Sequence, residues 1–402
     1  MFMYSVFCRL YQGAFRLVSP FLPWREPVLL EGRDALLGLP GLLKKLSVGK
    51  VLVVTDKGIT KAGLMDKMLE SLGREGIHCS VYDDTVPNPT IGNIEDAYAL
   101  YKDGACQAII AFGGGSAMDC AKGVGARAAR PGRRIQAMRG LLKVGRSLPP
   151  LIAVPTTAGT GSEATLAAVV SNPDTHEKYA INDPVLIPRY AVLDPGLTLG
   201  LPAHITSTTG MDALTHAVEA FIGRSNTKKT KEAAVRAARL IKENLLAVYE
   251  RGDNIEAREN MLKAAYLAGF AFTRAYVGYV HAIAHTLGGF YGVPHGLANA
   301  VALPYVLEYF GSSAVRPLAD LARAALWCGD GLSDQEAARH FIDSIKTMNR
   351  SMNIPEHIPE IREADIPLMA KRALREANPL YPVPRILGKK DLTVLYRLIA
   401  GI

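Results

Sequence analysis

From about residue 50 to residue 195, short β-branched runs alternate with stretches of helical periodicity. The runs are VLVVT at 51–55, CSVY at 79–82, AIIAF at 108–112, LIAVP at 151–155 and AVLD at 191–194. Between them the spacing predicts helices over 60–74, 92–102 and 116–129. Strands that alternate with helices predict a parallel sheet covered on both faces, with any ligand beyond the C-terminal ends of the strands. After about residue 200 the β-rich runs disappear. Long helical periodicity takes over, as in EARENMLKAAYLAGFAFTRAYVGYVHAIAHTL from Glu256 to Leu287, and the C-terminal half reads as all helix. Pro195, Gly196, Gly200 and Pro202 punctuate the change. Three segments follow: an apolar extension at 1–26, an α/β domain at 27–197 and an all-helical domain at 198–402.

Length agrees with more than one core, because 402 residues exceed the roughly 250–300 at which a single core stops growing. The extension MFMYSVFCRLYQGAFRLVSPFLPW is interrupted by Arg9, Arg16, Pro20 and Pro23, so it lacks the about 20 uninterrupted apolar residues of a spanning helix. It also lacks the order of a secretory signal. Residues 3–18 suit an amphipathic helix that docks either on the protein's own surface or, weakly, on a membrane face. Five scattered cysteines without a CxxC pair fit a reducing cytoplasm. The net charge of +8 is modest, but residues 127–146 hold seven basic side chains and no acidic one. Pro131, Gly132 and Gly140 interrupt that run and no aromatics interleave for base stacking, so it reads as a solvated, mobile loop and no nucleic-acid partner is expected.

Candidate chemistry lies at the strand ends. In AFGGGSAMDCAKG, Gly113, Gly114, Gly115 and Ser116 fall between a predicted strand and a helix, where bare backbone and a helix N-terminus suit a pyrophosphate; a tight turn is the other reading. PTTAGTGSEAT follows another strand and gathers Thr156, Thr157, Thr160, Ser162 and Glu163, which suits a ribose or a nicotinamide amide, or a capped helix start. Asp56, just past the first core strand, is placed to accept from an adenosine ribose and to repel a 2′-phosphate, favouring NAD over NADP.

The helical half concentrates histidine. Asp212 and His216 in GMDALTHAVEAF stand four apart, one turn on one helix face, and His281 and His285 repeat the spacing. His295 follows after GGFYGVP. One carboxylate and three imidazoles from this group make a candidate first coordination shell for Fe(II), Zn(II) or a similar ion. Burying that many titratable groups on apolar faces is costly without a partner.

With these residues in view, the chain resembles the iron-containing (group III) alcohol dehydrogenases of the dehydroquinate synthase-like superfamily. The segments that carry the resemblance are VVTDKG, VPNPT, GGGSAMDCAK, PTTAGTGSEAT, GMDALTHAVEAF, HAIAHTLGGFYGVPHGLANAVALPYV and, less strongly, NPDTHEKYAI. The resemblance implies an N-terminal α/β dinucleotide-binding domain and a helical metal-binding domain, with the active site in the cleft between them. It also implies that Asp212, His216, His281 and His295 are the metal ligands and that His285 is a non-ligand active-site histidine, serving in proton relay or substrate orientation. Gly114, Gly115 and Ser116 match its pyrophosphate loop; Thr156, Thr157 and Thr160 match its second nucleotide loop. Asp56, Asn88 and Lys178 match further cofactor contacts. Thr286 and Ala117 stand where many members have proline, and the extension before residue 26 lies outside the family pattern.

The implied activity is reversible oxidation of an alcohol to an aldehyde or ketone, with Fe(2+) as Lewis acid and NAD as hydride acceptor, by a cytoplasmic homodimer. Zn(2+) and NADP are the alternative cofactors. On the same fold, a hydroxyacid-oxoacid transhydrogenase with tightly held NAD and a zinc-dependent polyol dehydrogenase are the rival enzymes. A non-catalytic nucleotide-binding or membrane-surface protein would leave the aspartate and histidine set without a purpose.

Overall fold

The structure, a computed structural model, describes residues 2–173 and 177–402; position 1 and positions 174–176, within NPDTHEKYAI, lie outside the described residues. The chain divides into two compact units, Pro23–Gly200 and Leu201–Ile402, the latter joined by Met1–Leu22. The first element, α1 (Phe2–Val18), therefore belongs with the C-terminal helices.

The α/β unit contains β1 (Val28–Glu31), α2 (Leu39–Lys45), β2 (Lys50–Val54), α3 (Lys57–Lys61), α4 (Asp66–Arg74), β3 (His78–Tyr82), α5 (Ile91–Asp103), β4 (Ala108–Gly113), α6 (Gly115–Ala129), β5 (Gly140–Leu141), β6 (Leu151–Pro155), β7 (Ala167–Asn172), β8 (Glu177–Asn182) and β9 (Tyr190–Leu193). Among the described residues the main sheet has six strands in the order β1-β9-β6-β4-β2-β3, every neighbouring pair parallel. The two-residue period of side chains divides each central strand between two cores. Ala108, Ile110 and Phe112 of β4 pack with Val51, Val53 and Val154, while Ile109 and Ala111 pack with Leu52, Val54 and Val124. Burial on both faces explains why these strands read as continuous apolar runs.

Three sequence expectations need correction in this unit. The helix expected over 60–74 is two helices, because Gly63 takes a left-handed φ of +66° between α3 and α4. Strand β1 and the small sheet β5-β8-β7 escaped notice, since β1 is a short, half-exposed edge and β5 has only two residues. The basic segment 127–146 is a packed loop and not a mobile one. Arg127 pairs with Glu95 and donates to the carbonyls of Pro131 and Arg133, Arg130 donates to Val144 O, and Ile135, Met138 and Val144 are fully buried.

The helical unit contains α7 (Ala203–Ile222), α8 (Lys228–Glu250), α9 (Ile255–Ala275), α10 (Tyr279–Tyr291), α11 (His295–Phe310), α12 (Ser312–Ala324), α13 (Asp334–Ser351), α14 (Ile366–Ala377) and α15 (Lys389–Ala400). The periodicity of Glu256–Leu287 is interrupted at Tyr276, which has a φ of +68°, so α9 and α10 are separate helices. From Gly210 to Ile222, α7 is buried all round, as expected of a central helix, and its polar side chains therefore need internal partners. Thr286, where the family often has proline, sits inside α10 and donates to Ile283 O at 2.7 Å, so the helix runs on undisturbed. Ala117 lies buried in the first turn of α6. Among the described residues no helix is long and apolar enough to cross a membrane.

Close packing of α7 makes a simple test possible. A Cβ at Gly210 would overlap both δ carbons of Leu245 on α8, and Leu245 is fully buried. The expected gain in helix propensity from Gly210→Ala is about 1 kcal/mol, whereas overpacking costs about 1–3 kcal/mol. We expect net destabilisation, seen in calorimetry as a fall in Tm; a rise would show that Leu245 yields freely.

Candidate metal centre and nucleotide loops

Helix α7 sets Asp212, His216 and Glu219 on one stripe at i, i+4 and i+7. Helix α10 presents His281 and His285 one turn apart, and it ends at Gly292, whose left-handed φ of +67° caps it. Pro294 then precedes α11, and His295 is that helix's first residue, with Asn299 one turn further on. The Gly-Pro break thus turns the chain so that His295 comes back beside His281, their ring centroids 5.5 Å apart.

Candidate ligand atoms of Asp212, His216, His281 and His295 all lie within 4.8 Å of one another. From Asp212 Oδ1 the Nε2 atoms of His295, His281 and His216 lie at 3.5, 3.8 and 4.0 Å. Four N/O ligands placed tetrahedrally at about 2.1 Å from one ion would stand about 3.4 Å apart. The set is therefore slightly wider than a closed tetrahedron and could hold a divalent cation. The donor chemistry fits as well. His281 Nε2 is buried and makes no hydrogen bond, and burial together with His216, His295 and His285 holds its imidazole well below the ordinary range, in the neutral form that ligates metals. His285 stands outside the set, T-shaped against His281 at 6.1 Å and stacked on His295 at 5.2 Å.

Supporting groups fix these rings. Glu219, fully buried, faces His281 Nδ1 at 2.6 Å and accepts from the backbone N–H groups of Gly278 and Val280 at 2.7 and 2.8 Å. Burial raises its carboxyl, while the backbone N–H groups of Gly278, Val280 and His281 favour the ionised form and oppose that rise. A carboxylate on Nδ1 directs the His281 lone pair on Nε2 into the cluster. Gly278 is required at this contact, because a Cβ there would lie 2.6 Å from Glu219 Oε1. Asn299 donates to Asp212 Oδ1 at 2.6 Å, and Phe272 stacks on His216 at 4.1 Å. His285 Nδ1 faces Glu376 Oε1 at 2.7 Å, and Glu376 also accepts from Tyr381 OH at 2.9 Å. Sequence reasoning missed Glu219, Asn299, Glu376 and Tyr381. Glu219 was findable as the third residue of the α7 stripe and Asn299 as the residue one turn after His295; Glu376, ninety-one residues from His285, left no local signal.

In the α/β unit the predicted cofactor residues gather on three adjacent strands. Asp56 follows β2, Gly114–Ser116 follow β4, and Thr156–Thr160 follow β6. Register places Gly113 opposite Pro155, and Thr156 N donates to Gly113 O at 3.1 Å, so two loops remote in sequence emerge side by side. Gly113 takes φ +147°, and a Cβ at Gly115 would lie 3.0 Å from Thr160 Cγ2. Asn88 joins them: its N–H donates to Ser116 Oγ at 3.2 Å and its Oδ1 accepts from Lys178 Nζ at 2.6 Å. Asp56 caps α3 through Oδ1, accepting from Gly58 N and Ile59 N at 2.8 and 3.2 Å. Lys122 was not singled out in the sequence. Its buried ammonium on α6 donates to Ser162 Oγ, Thr165 O, Thr165 Oγ1 and Ala167 O at 2.9–3.0 Å, pinning the second loop to the helix that follows the first. Burial lowers Lys122 to about 8 and raises its neighbour Asp119 to about 6.

Comparison with known proteins agrees with this geometry. The family model "Iron-containing alcohol dehydrogenase" matches residues 27–195, and "Fe-containing alcohol dehydrogenase family, C-terminal" matches residues 206–400. The 1,3-propanediol dehydrogenase of Citrobacter freundii is 42% identical over 358 residues, 88% of this chain and 92% of that protein. The lactaldehyde reductase of Escherichia coli K12 is 34% identical over 91% of this chain and 96% of its own. Among solved structures, an alcohol dehydrogenase from Oenococcus oeni superposes with a TM-score of 0.90 at 37% identity, covering 94% of this chain and 100% of that one.

The Glu219 contacts yield a test independent of any metal. A glutamine there has one acceptor oxygen for three donors on two sides, so Glu219→Gln leaves at least one buried N–H facing an amide N–H. Such a group costs about 1–3 kcal/mol. We expect the metal-free variant to melt several degrees below the metal-free parent; equal melting would show that the carboxylate contacts carry no weight.

Proposed function

Because the chain belongs to the iron-containing alcohol dehydrogenase family, and so carries out metal-dependent, NAD-linked oxidoreduction of an alcohol or aldehyde, we propose that it acts on a short alcohol or diol, with Fe(2+) held by Asp212, His216, His281 and His295. The observation that carries the reading is the convergence of that carboxylate and three imidazoles around a buried, unbonded Nε2 of His281. The substrate class is taken from the propanediol and lactaldehyde activities named for relatives at 42% and 34% identity. Iron, and not zinc, is taken from the family; the donor set without thiolate accords with it. We place it in the cytoplasm, on five scattered cysteines without a paired spacing, and read it as a homodimer, on the family resemblance.

A divalent ion held by Asp212, His216, His281 and His295 would supply Lewis-acid polarisation of the alcohol hydroxyl, and NAD would supply the hydride acceptor. The protein's own groups do the rest. Glu219 keeps His281 in the tautomer that points Nε2 inward. Glu376, itself held by Tyr381, takes the Nδ1 side of His285 and leaves Nε2 as the basic nitrogen. The His285 side chain is 31% exposed, so Nε2 can pass the hydroxyl proton towards solvent. Gly114, Gly115 and Ser116 offer backbone N–H groups and a helix N-terminus to the NAD pyrophosphate. Thr156, Thr157 and Thr160, with Asn88 and Lys178, hold the remainder. The free side of the Asp56 carboxylate accepts from the adenosine ribose and disfavours a 2′-phosphate.

Metal content and turnover separate these roles. His216→Ala is expected to lose both iron and activity. His285→Ala is expected to keep its iron and lose about a hundredfold or more in kcat. An emptied site in the His285 variant, with iron kept by His281→Ala, would exchange the assignments of those two histidines. Anaerobic reconstitution with iron or zinc, assayed on alcohols, diols and hydroxy acids with NAD or NADP, tests metal, cofactor and substrate; higher activity with zinc would overturn the iron assignment. Asp56→Asn is expected to raise the KM for NAD and to narrow the preference over NADP by about tenfold, on the order of 1.4 kcal/mol; an unchanged preference would remove Asp56 from cofactor selection.

A further inference from the structure

Helix α1 is amphipathic in the inverted sense. The side it turns to the helical unit is polar. Arg9 donates to the carbonyls of Val383 and Pro384 at 2.8 and 2.9 Å, and Gln12 to those of Pro379 and Tyr381 at 2.9 and 2.8 Å. Cys8, on the same side, is fully buried. The opposite stripe runs Met3, Phe7, Leu10, Ala14, Leu17 and, in the short turn Ser19–Phe21 beyond the helix, Phe21. All six are exposed, Leu10 to 70%, Leu17 to 75% and Phe21 to 87%. A helix that only completed its own protein would turn this face inward.

Charge narrows what can cover it. Residues 1–25 hold three arginines and no acidic side chain. Arg16 donates to the carbonyl of Arg224 at 3.4 Å, and the exposed Arg224 and Lys228 extend the positive rim beyond it. We propose that α1 is an interfacial anchor, its stripe entering the headgroup–acyl boundary of an anionic lipid bilayer while Arg16, Arg224 and Lys228 meet the lipid phosphates. An apolar face with basic side chains gathered at its C-terminal end suits that boundary. A second copy of the chain fits less well. A two-fold pairing of this patch would bring Arg16, Arg224 and Lys228 towards their own copies. The flanks Tyr4, Val6 and Val18 carry no charge, where a helix pair would carry partner-selecting charges. The segment also lies ahead of the first family match, so the catalytic scheme leaves it unexplained.

The test is flotation of the full-length holoenzyme with vesicles of phosphatidylcholine alone or with about one-third phosphatidylglycerol. The parent is expected to float with the anionic vesicles and to be released by salt. The variant Phe7→Ser/Leu10→Ser/Leu17→Ser is expected to bind at least about tenfold less tightly, and Arg224→Gln/Lys228→Gln to lose the anionic preference, with alcohol oxidation in solution unchanged in both. A parent that remains with the soluble fraction, or a triple variant that floats equally, overturns the proposal. Light scattering supplies the rival outcome: failure of the parent to float, with a smaller oligomer in the triple variant, gives the face to a second copy. Activity in solution is read separately, so failure of the anchor leaves the catalytic reading intact.

Discussion

One carboxylate and three imidazoles converge on one small volume, Asp212, His216 and His281 buried and the His295 side chain 37% exposed at its edge, and the helical unit is arranged around that set. Any of these groups alone would be costly to bury. Together they present lone pairs to one small volume, which a cation completes and water would fill less well. The interruptions that looked incidental serve this convergence. Tyr276 and Gly278 stop α9 and α10 from forming one rod and bring two backbone N–H groups to Glu219. Gly292 and Pro294 then end α10 and start α11 where His295 reaches the cluster.

The α/β unit solves a different problem by different means. A phosphate-binding surface needs backbone close to the ligand and little side-chain bulk. Parallel pairing of β4 with β6 supplies it by setting Gly113 beside Pro155, so that the glycine loop and the threonine loop share one edge. Lys122 then fastens the second loop from beneath, its three ammonium protons shared among four acceptors. Its buried ammonium meets neutral hydroxyls and carbonyls directly, with the carboxylates of Asp119 and Glu163 near enough to favour its charge.

Legibility in the sequence follows the range of the interaction. Central strands and long helices were readable because their burial pattern is local and periodic. The helix pair α3 and α4 was not, since one left-handed glycine decides it, and β1 carries too few buried side chains to announce itself. In the site, Asp212, His216, His281 and His295 were readable as a group, yet spacing alone equally paired His281 with His285. The separation depends on which rings share a volume, a fact of tertiary packing. Glu376 and Tyr381 were invisible for the same reason, as they meet His285 only through folding.

The path from α1 to His285 has few joints. Tyr381, whose hydroxyl steadies Glu376, offers its backbone carbonyl to Gln12, and Pro379, Val383 and Pro384 of the same irregular segment accept from Gln12 and Arg9. Asn378 at its start accepts from the hydroxyl of Tyr279, in the first turn of α10, and Leu387 at its end donates to that same hydroxyl. An irregular segment has carbonyls that no helix satisfies, and leaving them buried and unpaired would be costly. Helix α1 fills that need with its polar side, and doing so commits its apolar side to solvent or to whatever covers it. Using Arg9 and Gln12 to brace the segment that holds the Glu376–His285 pair thus fixes which side of α1 faces inward, while the apolar character of the outward side is what the lipid boundary accounts for.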